Sequence, residues 1–177
     1  MVVNFMRDYW LKTERIGFSL WTAEDLPLAE LLWGDPAVSH YICAAGCFSQ
    51  AEIQNRLYLE IENYKRYNIQ YFPIFDLSSS ALIGCCGLRP YEGRTDCCEL
   101  GFHLRPSYWG QGLAFEAASA IINNAFSQLG VLELRAGHHP DNHPSRCLLQ
   151  KLGFEYLCDQ FYPPTGLLHP SYRLIRS

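Results

Sequence analysis

The sequence predicts a mixed α/β domain, and three observations support this prediction. Apolar residues recur at helical spacing after Ser49 and again after Gly112. Between these segments the pattern changes to that of strands, with two hairpins expected within residues 71–104. No internal repeat, low-complexity tract or linker divides the chain, so residues 1–177 are expected to form one domain.

Periodicity, capping residues and turn residues place the individual elements. Strands are expected at residues 11–21, 71–76, 81–88, 99–104, 131–136, 154–158 and 171–175, the last of them at a sheet edge. Helices are expected at residues 22–33, 49–67, 113–129 and 145–152. The second helix has the clearest start, because Ser49 and Glu52 have the spacing of a capping box. Turns are expected at residues 77–80 and 89–96.

Composition limits the partners and the compartment. The net charge is −4 and the pI is about 5.8, so there is no general basic field to hold nucleic acid or an anionic membrane. A mildly acidic surface tolerates a cationic substrate such as an amine. No apolar run approaches the roughly 18–20 residues of a membrane helix, and the first residues lack the pattern of a signal peptide. These features predict a cytoplasmic protein with no nucleic-acid or membrane partner.

The eight cysteines do not have the arrangement of a disulfide framework. Cys85-Cys86 and Cys97-Cys98 are adjacent pairs on expected strands, where neighbouring side chains point to opposite faces. Most cysteines are therefore expected to be reduced and to pack as small buried hydrophobic residues.

The most informative stretch joins a strand to a helix through a glycine turn. The strand Glu99–Leu104 breaks at Arg105-Pro106, and Trp109-Gly110-Gln111-Gly112 then leads into an alanine-rich helix. Glycines let the backbone approach an anion closely, and the first N–H groups of a helix carry the positive end of its dipole. This order predicts a phosphate cradle. It is neither a P-loop, since no Lys-Ser/Thr follows the glycines, nor a G-x-G-x-x-G motif.

The segment W-G-Q-G-L-A, after a strand reading E-L-G-F-H-L, resembles the acetyl-coenzyme A signature of the GNAT superfamily of N-acetyltransferases, Gln/Arg-x-x-Gly-x-Gly/Ala. Gly110, Gly112 and Ala114 occupy its small-residue positions, and Trp109 stands where Gln or Arg is usual. The approach L-R-P-x-Y-W-G is most similar to the RimJ/RimL-type branch, named for enzymes acting on protein N-termini. The resemblance implies a mixed, mostly antiparallel sheet of about seven strands with about four helices, splayed at its central strands.

The resemblance also implies an activity and a cofactor site. The activity is transfer of an acetyl group from acetyl-CoA to a primary amine by direct attack in a ternary complex, without a metal. The backbone of the turn would hold the pyrophosphate, and the strand before it would pair with the pantetheine amides. The implied cofactor residues are Phe102, His103, Leu104, Trp109, Gly110, Gln111, Gly112, Leu113, Ala114 and Asn142.

A second segment, H-P-D-N-H-P-S-R-C-L-L-Q-K-L-G-F, is similar to the GNAT strand-to-helix segment. There the resemblance implies that Asn142 binds the pantetheine arm or a nearby water, and that the Ser145 hydroxyl is a proton donor near the sulfur. Leu149 stands where many members carry a tyrosine acid. A simpler interpretation stays open, in which Asn142 and Ser145 are N-caps of a short helix.

The catalytic base is expected on the central strand. Glu99 matches the position where some GNAT members carry a glutamate that accepts the amine proton, directly or through water. His103 is the other nearby titrating group. The histidines of residues 138–143 lack the spacing of a strong metal site, so no metal is expected.

The acceptor is left open between a protein N-terminus and a small-molecule amine, and a homodimer is possible. Residues 37–48 and 162–169 are the expected acceptor-selecting segments. Two alternatives also stay open: a non-catalytic acyl-CoA sensor or interaction domain, and a binder of another nucleotide phosphate.

Overall fold

The computed structural model describes residues 7–176, which form a mixed α/β fold around one sheet. Its eight strands are β1 (Leu11–Lys12), β2 (Ile16–Phe18), β3 (Tyr71–Asp76), β4 (Leu82–Tyr91), β5 (Arg94–Leu104), β6 (Glu133–Gly137), β7 (Glu155–Tyr162) and β8 (Leu167–Ile175). The sheet order is β1-β2-β3-β4-β5-β6-β8-β7. The pair β5–β6 is parallel and the other pairs are antiparallel.

Helices cover both faces of this sheet. They are α1 (Leu26–Trp33), α2 (Pro36–Ser39), α3 (Gln50–Tyr67), α4 (Leu113–Ser127) and α5 (His143–Lys151). Leu113, Ala117 and Ile121 of α4 belong to the apolar core on one face. Residues of α1 and α3 form a second apolar cluster with Tyr71 and Cys85 on the opposite face. None of the helices described within residues 7–176 is long and apolar enough to cross a membrane.

Helix α3 begins and ends where the sequence predicts. The Ser49 backbone N–H donates to Glu52 at 2.7 Å, and the Glu52 N–H donates to the Ser49 hydroxyl at 3.3 Å, which completes the capping box. Asn68 ends the helix in the left-handed conformation with φ 58°, a conformation that asparagine adopts more readily than most residues.

The first expected strand is two short strands. Residues 11–21 were predicted as one strand, but a turn at Thr13 separates β1 from β2. The Thr13 N–H donates to the Ile16 carbonyl at 2.9 Å, and the Thr13 hydroxyl accepts from the Ile16 N–H at 3.1 Å. Thr13, Glu14 and Arg15 interrupt the apolar alternation, which resumes at Ile16, so these polar residues mark the turn that the prediction missed. The division raises the strand count from about seven to eight.

The turn predicted over residues 89–96 is much shorter. β4 continues to Tyr91 and β5 begins at Arg94, so only Glu92 and Gly93 connect them. Both have positive φ, 48° and 71°, which is the geometry of a tight two-residue hairpin turn. The flanking residues resemble a loop, but Arg89, Pro90, Tyr91 and Arg94 form ladder pairs between β4 and β5, with a register shift after Pro90.

The prediction that the C-terminal strand lies at an edge is wrong. β8 lies between β6 and β7, and β7 is the edge strand. β6 pairs with β8 from Glu133–Ile175 to Gly137–Ser171, while the β7–β8 hairpin places β7 outside. Order along the chain does not give this order in space. Helix α2 was likewise not predicted, since residues 37–48 were expected to be irregular.

All eight cysteines lie within the described residues and all are free thiols. Five are buried: Cys43, Cys85, Cys86, Cys97 and Cys98. Burial in the sheet raises the pKa of the Cys85 thiol to about 12, so this thiol stays protonated at neutral pH. The prediction that most cysteines are buried is confirmed, and their reduced state stays a prediction.

Candidate active site

The centre of the sheet is forked. β5 and β6 pair only from Cys97–Glu133 to Glu99–Arg135. Beyond this point β5 continues to Leu104, while β6 continues beside β8. The two strands therefore separate after Glu99, as a splayed central sheet requires, and the carboxylate of Glu99 lies at the branch point.

The fork leaves part of the β5 backbone without a strand partner. The Arg105 N–H donates to the Ile83 carbonyl of β4 at 2.9 Å, so the backbone groups of His103, two residues earlier, also face β4. Those of Phe102 and Leu104 face the gap. Trp109 Nε1 donates to the Leu104 carbonyl at 2.7 Å. Phe102 therefore offers the backbone N–H and C=O that an extended amide chain can pair with, and the backbone of His103 does not.

The glycine turn follows at the end of β5. Gly110 and Gly112 have φ 71° and 76°, and Gly112 is the N-cap of α4 without a side-chain cap. A Cβ atom on Gly110 would meet no atom within 4 Å, so the outer side of the turn is open. The first N–H groups of α4 have no intrahelical acceptor. An open loop with these N–H groups fits a diphosphate.

Leu113 and Ala114 stand at the start of α4. The Leu113 side chain is buried in the core, which anchors the helix end beneath the turn. Gln111 is exposed, and its side-chain amide donates to the Ser107 carbonyl at 2.8 Å. Gln111 is among the predicted cofactor residues of the turn, but its side chain does not line the adjoining cleft. Any role in binding would therefore fall to its backbone.

The N-terminal hairpin holds the glycine turn, a link that sequence reasoning missed. The Thr13 hydroxyl donates to Glu116 Oε1 at 2.6 Å, and Arg15 Nε donates to Glu116 Oε2 at 2.7 Å. The Arg15 guanidinium also donates to the Gln111 carbonyl at 3.0 Å. Hydrogen bonds from Thr13 and Arg15 outweigh the effect of burial and lower the pKa of Glu116. The sequence did contain a signal for this link, because Glu116 is the only acidic residue of the first turn of α4.

A cleft of about 780 Å³ runs through the fork. It brings together nearly all the predicted site residues: Glu99, Phe102, His103, Leu104, Trp109, Gly110, Gly112, Leu113, Ala114, Asn142 and Ser145. Tyr41 and Ile42 from one predicted acceptor segment line it, as do Tyr162 and His169 from the other. The cleft thus joins the glycine turn to both of these segments.

The Glu99 carboxylate is largely buried in this cleft. It makes no side-chain hydrogen bond to any residue that the structure describes. Burial raises the pKa of Glu99, and the positive charge of Arg89, its cross-strand partner, opposes this effect without cancelling it. A carboxylate with a raised pKa and free oxygens is suited to accept a proton.

His103 is in a different state. Its Nδ1 accepts the indole N–H of Trp33 at 3.2 Å and lies 3.6 Å from the Cys85 sulfur. Burial holds the pKa of His103 well below its usual range, and the charges of Arg56 and Arg89 lower it further. A neutral imidazole that accepts at Nδ1 carries its proton on Nε2, so His103 has no free lone pair for an amine proton.

A buried ion pair supports the floor of the cleft. Glu60 is fully buried on α3, where it accepts hydrogen bonds from the Arg89 guanidinium and, at 2.8 Å, from the Tyr71 N–H. The Arg89 guanidinium lies 4.2 Å from the centroid of the Tyr71 ring. Sequence reasoning did not single out Glu60. The sequence did indicate a buried carboxylate here, because the spacing of Glu60 from Ile53 and Leu57 places it on the apolar face of α3.

Asn142 and Ser145 meet at the start of α5. Asn142 is the N-cap, and its side-chain oxygen accepts the Ser145 N–H at 3.2 Å. The capping interpretation is therefore correct for Asn142, although both residues also line the cleft. The cap occupies the amide oxygen and leaves the amide NH₂ for a ligand. Leu149, which replaces the tyrosine of many GNAT members, is buried.

Among residues 7–176, no group of three or more His, Cys, Asp or Glu side chains is arranged to hold a metal ion. The histidines of the predicted weak cluster have aromatic neighbours instead. His138 stacks on Tyr172, while His139 lies against Tyr41 and His169.

A forked sheet, a free strand edge and an open glycine turn at a helix start together define an acyl-coenzyme A-dependent transferase. Residues 15–155 match the family described as the acetyltransferase (GNAT) domain. The chain belongs to this family, whose members move an acetyl group from acetyl-CoA.

Curated relatives agree with this assignment. An uncharacterized N-acetyltransferase, p20 of Bacillus licheniformis, is 26% identical over 145 residues, or 82% of each chain. The [ribosomal protein uS5]-alanine N-acetyltransferase of Escherichia coli is 32% identical over 103 residues, covering 58% of this chain and 53% of that protein.

Solved structures share the fold at lower identity. A GNAT-family acetyltransferase from Bacillus anthracis superimposes with a TM-score of 0.79 at 22% identity, covering 93% of this chain and 97% of that one. The ribosomal L7/L12 α-N-protein acetyltransferase RimL, solved with coenzyme A, superimposes with a TM-score of 0.78 at 16% identity over 92% and 95% of the two chains.

Proposed function

We propose that this GNAT acetyltransferase transfers the acetyl group of acetyl-CoA to a primary amine by direct attack, with Glu99 as the base. The observation that carries the proposal is the position of Glu99 at the fork, where the free edge of β5 begins. An amine that reaches the acetyl group through the fork passes this carboxylate. The proposal takes residues 1–177 as one domain acting in the cytoplasm.

The residues around the fork fit acetyl-CoA. Backbone N–H groups from Trp109 to Ala114 would hold the pyrophosphate, and the backbone of Phe102 would pair with the pantetheine amides. The free amide NH₂ of Asn142 would contact the same arm. When bound, the cofactor supplies an acetyl thioester. No residue of this set has to change its protonation state for binding.

The acid–base work falls to two side chains. Glu99 would accept the proton of the attacking ammonium, directly or through one water. The Ser145 hydroxyl would donate a proton toward the departing sulfur, since Leu149 cannot. A thiol pKa near 8.5 makes this donation helpful rather than essential, so Ser145 is expected to matter less than Glu99. The mechanism needs no metal.

The acceptor class follows from chemistry that the relatives share. The Escherichia coli relative is named for acetylating an alanine of a ribosomal protein, and the solved RimL for acting on an α-amine of a ribosomal protein. A primary α-amine is therefore the proposed acceptor, on a protein N-terminus or a small molecule. A homodimer is compatible with this proposal and is not needed for the chemistry.

The test starts with cofactor binding. The melting temperature is measured with acetyl-CoA, ATP or NAD, because a ligand at a hundred times its Kd adds about 2.7 kcal/mol of stability. Amines are then screened for release of free thiol. Stabilisation by acetyl-CoA with thiol release supports the proposal.

Two other outcomes point to other functions. Stabilisation by ATP or NAD alone would identify a nucleotide-phosphate binder. Acetyl-CoA binding without turnover of any amine would identify a sensor. If a variant carrying both Glu99→Gln and Ser145→Ala turns over like the wild type, the assigned roles are wrong.

A further inference from the structure

We infer that the acceptor amine of this enzyme belongs to a molecule that also carries a carboxylate, and that Arg56 holds this carboxylate in the cleft. The inference rests on the proposed function, because it names a feature of the substrate of that same site. It goes further in assigning a recognition residue that does not take part in the acetyl transfer.

Arg56 lines the cleft without an ion-pair partner among the described residues. It lies on α3, with its guanidinium carbon 5.2 Å from the centroid of the Trp33 ring and 4.7 Å from that of Phe48. Its Nε is buried without a hydrogen-bond acceptor among the residues that the structure describes. No carboxylate of residues 7–176 forms an ion pair with it. A guanidinium that lies over aromatic rings keeps its N–H edges available, and the Nε edge here is unused among the described residues.

The other arginines of the cleft are already paired. Arg89 donates to the buried Glu60, and Arg135 lies 2.6 Å from a carboxylate oxygen of Glu133. Arg56 instead has the like charge of Arg89 as a neighbour, and Glu60, which is bonded to Arg89, offsets this charge without cancelling it. Burial lowers the pKa of Arg56, and the charge of Arg89 lowers it further. A partly buried, unpaired cation beside a second cation is stabilised by an anionic ligand.

The position of Arg56 associates it with the acceptor rather than with the cofactor. Side chains alternate along β5, so Glu99 and His103 lie on the same face of the sheet. Trp33 contacts His103 from that face, and α3 packs there with α1. The glycine turn instead leads into α4, which packs on the opposite face. Arg56 thus shares the Glu99 side of the fork.

Phe48, one of the two rings that hold Arg56, ends the predicted acceptor-selecting segment 37–48. The anion site is therefore built partly from that segment. The carboxylate can be the α-carboxylate of a free amino acid or the acidic side chain of the first residue of a peptide. Both sources present an amine and a carboxylate a few bonds apart.

The experiment compares matched acceptors with the full-length protein and acetyl-CoA. One arm uses free amino acids and their α-carboxamides. The other uses short C-terminally amidated peptides that begin with Glu or Gln, or with Asp or Asn. Thiol release gives kcat and KM for each acceptor. The wild type is expected to prefer the carboxylate over its carboxamide by at least tenfold in kcat/KM in one arm, which identifies the source.

Arg56→Met keeps an unbranched side chain between the two rings and removes the charge. It is expected to abolish the preference through KM, with kcat changed less than threefold. Arg66→Met, on an exposed face of the same helix, is the control and should keep the preference. Calorimetry should show the same acetyl-CoA affinity in all three proteins.

The outcomes separate this inference from the proposed function. If the wild type acetylates carboxylates and carboxamides equally well, or if Arg56→Met retains the preference, the inference is wrong and the acetyltransferase assignment stands. If acetyl-CoA binds but no amine is acetylated, the proposed function fails and the inference fails with it.

Discussion

Arg15 and Glu116, 101 residues apart in the chain, form a salt bridge that ties the N-terminal hairpin to the glycine turn. The same guanidinium donates to the Gln111 carbonyl. The pair is partly exposed, so its direct contribution to stability is small. Its geometry links the backbone of the turn to the hairpin through the Gln111 carbonyl.

Replacing Glu116 with Gln is expected to weaken acetyl-CoA binding about threefold to tenfold while the protein stays folded. The substitution removes the charge that orients Arg15, so the guanidinium no longer fixes the Gln111 carbonyl. Calorimetric titration with acetyl-CoA measures the change, and Glu14→Gln in the same hairpin is the control. Unchanged affinity in Glu116→Gln would show that the turn holds its shape without the clamp.

The pKa of Glu116 adds a pH dependence. Because its folded pKa is lowered, the stability from this carboxylate is present above its ordinary value of 4.5 and is lost as the pH falls through the lower folded pKa. Urea unfolding of the wild type between pH 3 and 6 should show this loss, and Glu116→Gln should reduce it.

Gly110 and Gly130 form a matched pair for testing the phosphate cradle. Both have positive φ, 71° and 68°, and a Cβ atom at either position meets nothing within 4 Å. Substitution by Val should cost each protein about 1–2 kcal/mol of stability through backbone strain. Only Gly110→Val should also reduce acetyl-CoA affinity, by more than tenfold in calorimetry. Equal losses of affinity in the two variants would remove Gly110 from the cofactor site.

Glu99→Gln is expected to lower kcat/KM about 100-fold and to alter its pH profile. The base must be ionised, and the pKa of Glu99 is raised, so the wild-type rate should fall with decreasing pH at values above 4.5. The Glu99→Gln variant should not show this fall in rate with decreasing pH, while the His103→Asn variant should retain it. The reverse result would assign the base to His103.

The same variant should also be more stable than the wild type above neutral pH. A carboxyl group with a raised folded pKa stabilises the fold when protonated, and this contribution is lost as the pH rises through that pKa. Glu99→Gln stays neutral, so its melting temperature at pH 8 should exceed that of the wild type. A lower melting temperature of Glu99→Gln would mean that burial does not disfavour the ionised form of Glu99.

Removal of Glu60 should be far more damaging than removal of a surface glutamate. Glu60→Ala leaves the Arg89 guanidinium and the Tyr71 N–H without their buried acceptor, which should cost about 3–5 kcal/mol of unfolding free energy. Glu62→Ala, two positions further along α3, breaks only an exposed pair with Lys65 and should cost less than about 1 kcal/mol. Urea unfolding measures both. Similar losses would contradict a structural role for the buried pair.

Asn142→Asp separates capping from cofactor binding. Aspartate keeps an oxygen that accepts the Ser145 N–H, so the helix cap and the melting temperature should be retained. It removes the amide NH₂ and adds a negative charge, so acetyl-CoA affinity should fall about tenfold. Ser119→Asp, on α4, controls for the added charge. Asn142→Asp with wild-type affinity would leave Asn142 as a cap alone.

The parts of this structure that could be predicted from the sequence depend on local rules. The Ser49–Glu52 box starts α3 because its hydrogen bonds lie within four residues, and the two glycines form a turn because few other residues adopt positive φ. The W-G-Q-G-L-A and N-x-x-S segments indicated the family and seven of the residues that line the cleft. The site roles given to them remain predictions.

Tertiary structure decided the features that depend on partners distant in the chain. The interior position of β8 and the clamp of Glu116 arise from such pairings, which no local pattern encodes. The sequence by itself determined most of the element types and the glycine turn, and it predicted the cradle and the candidate base. Only the fold determined that Glu60 neutralises Arg89, that burial keeps His103 neutral, and that Arg56 has no carboxylate partner among the described residues, since burial and charge pairing are properties of the packed chain.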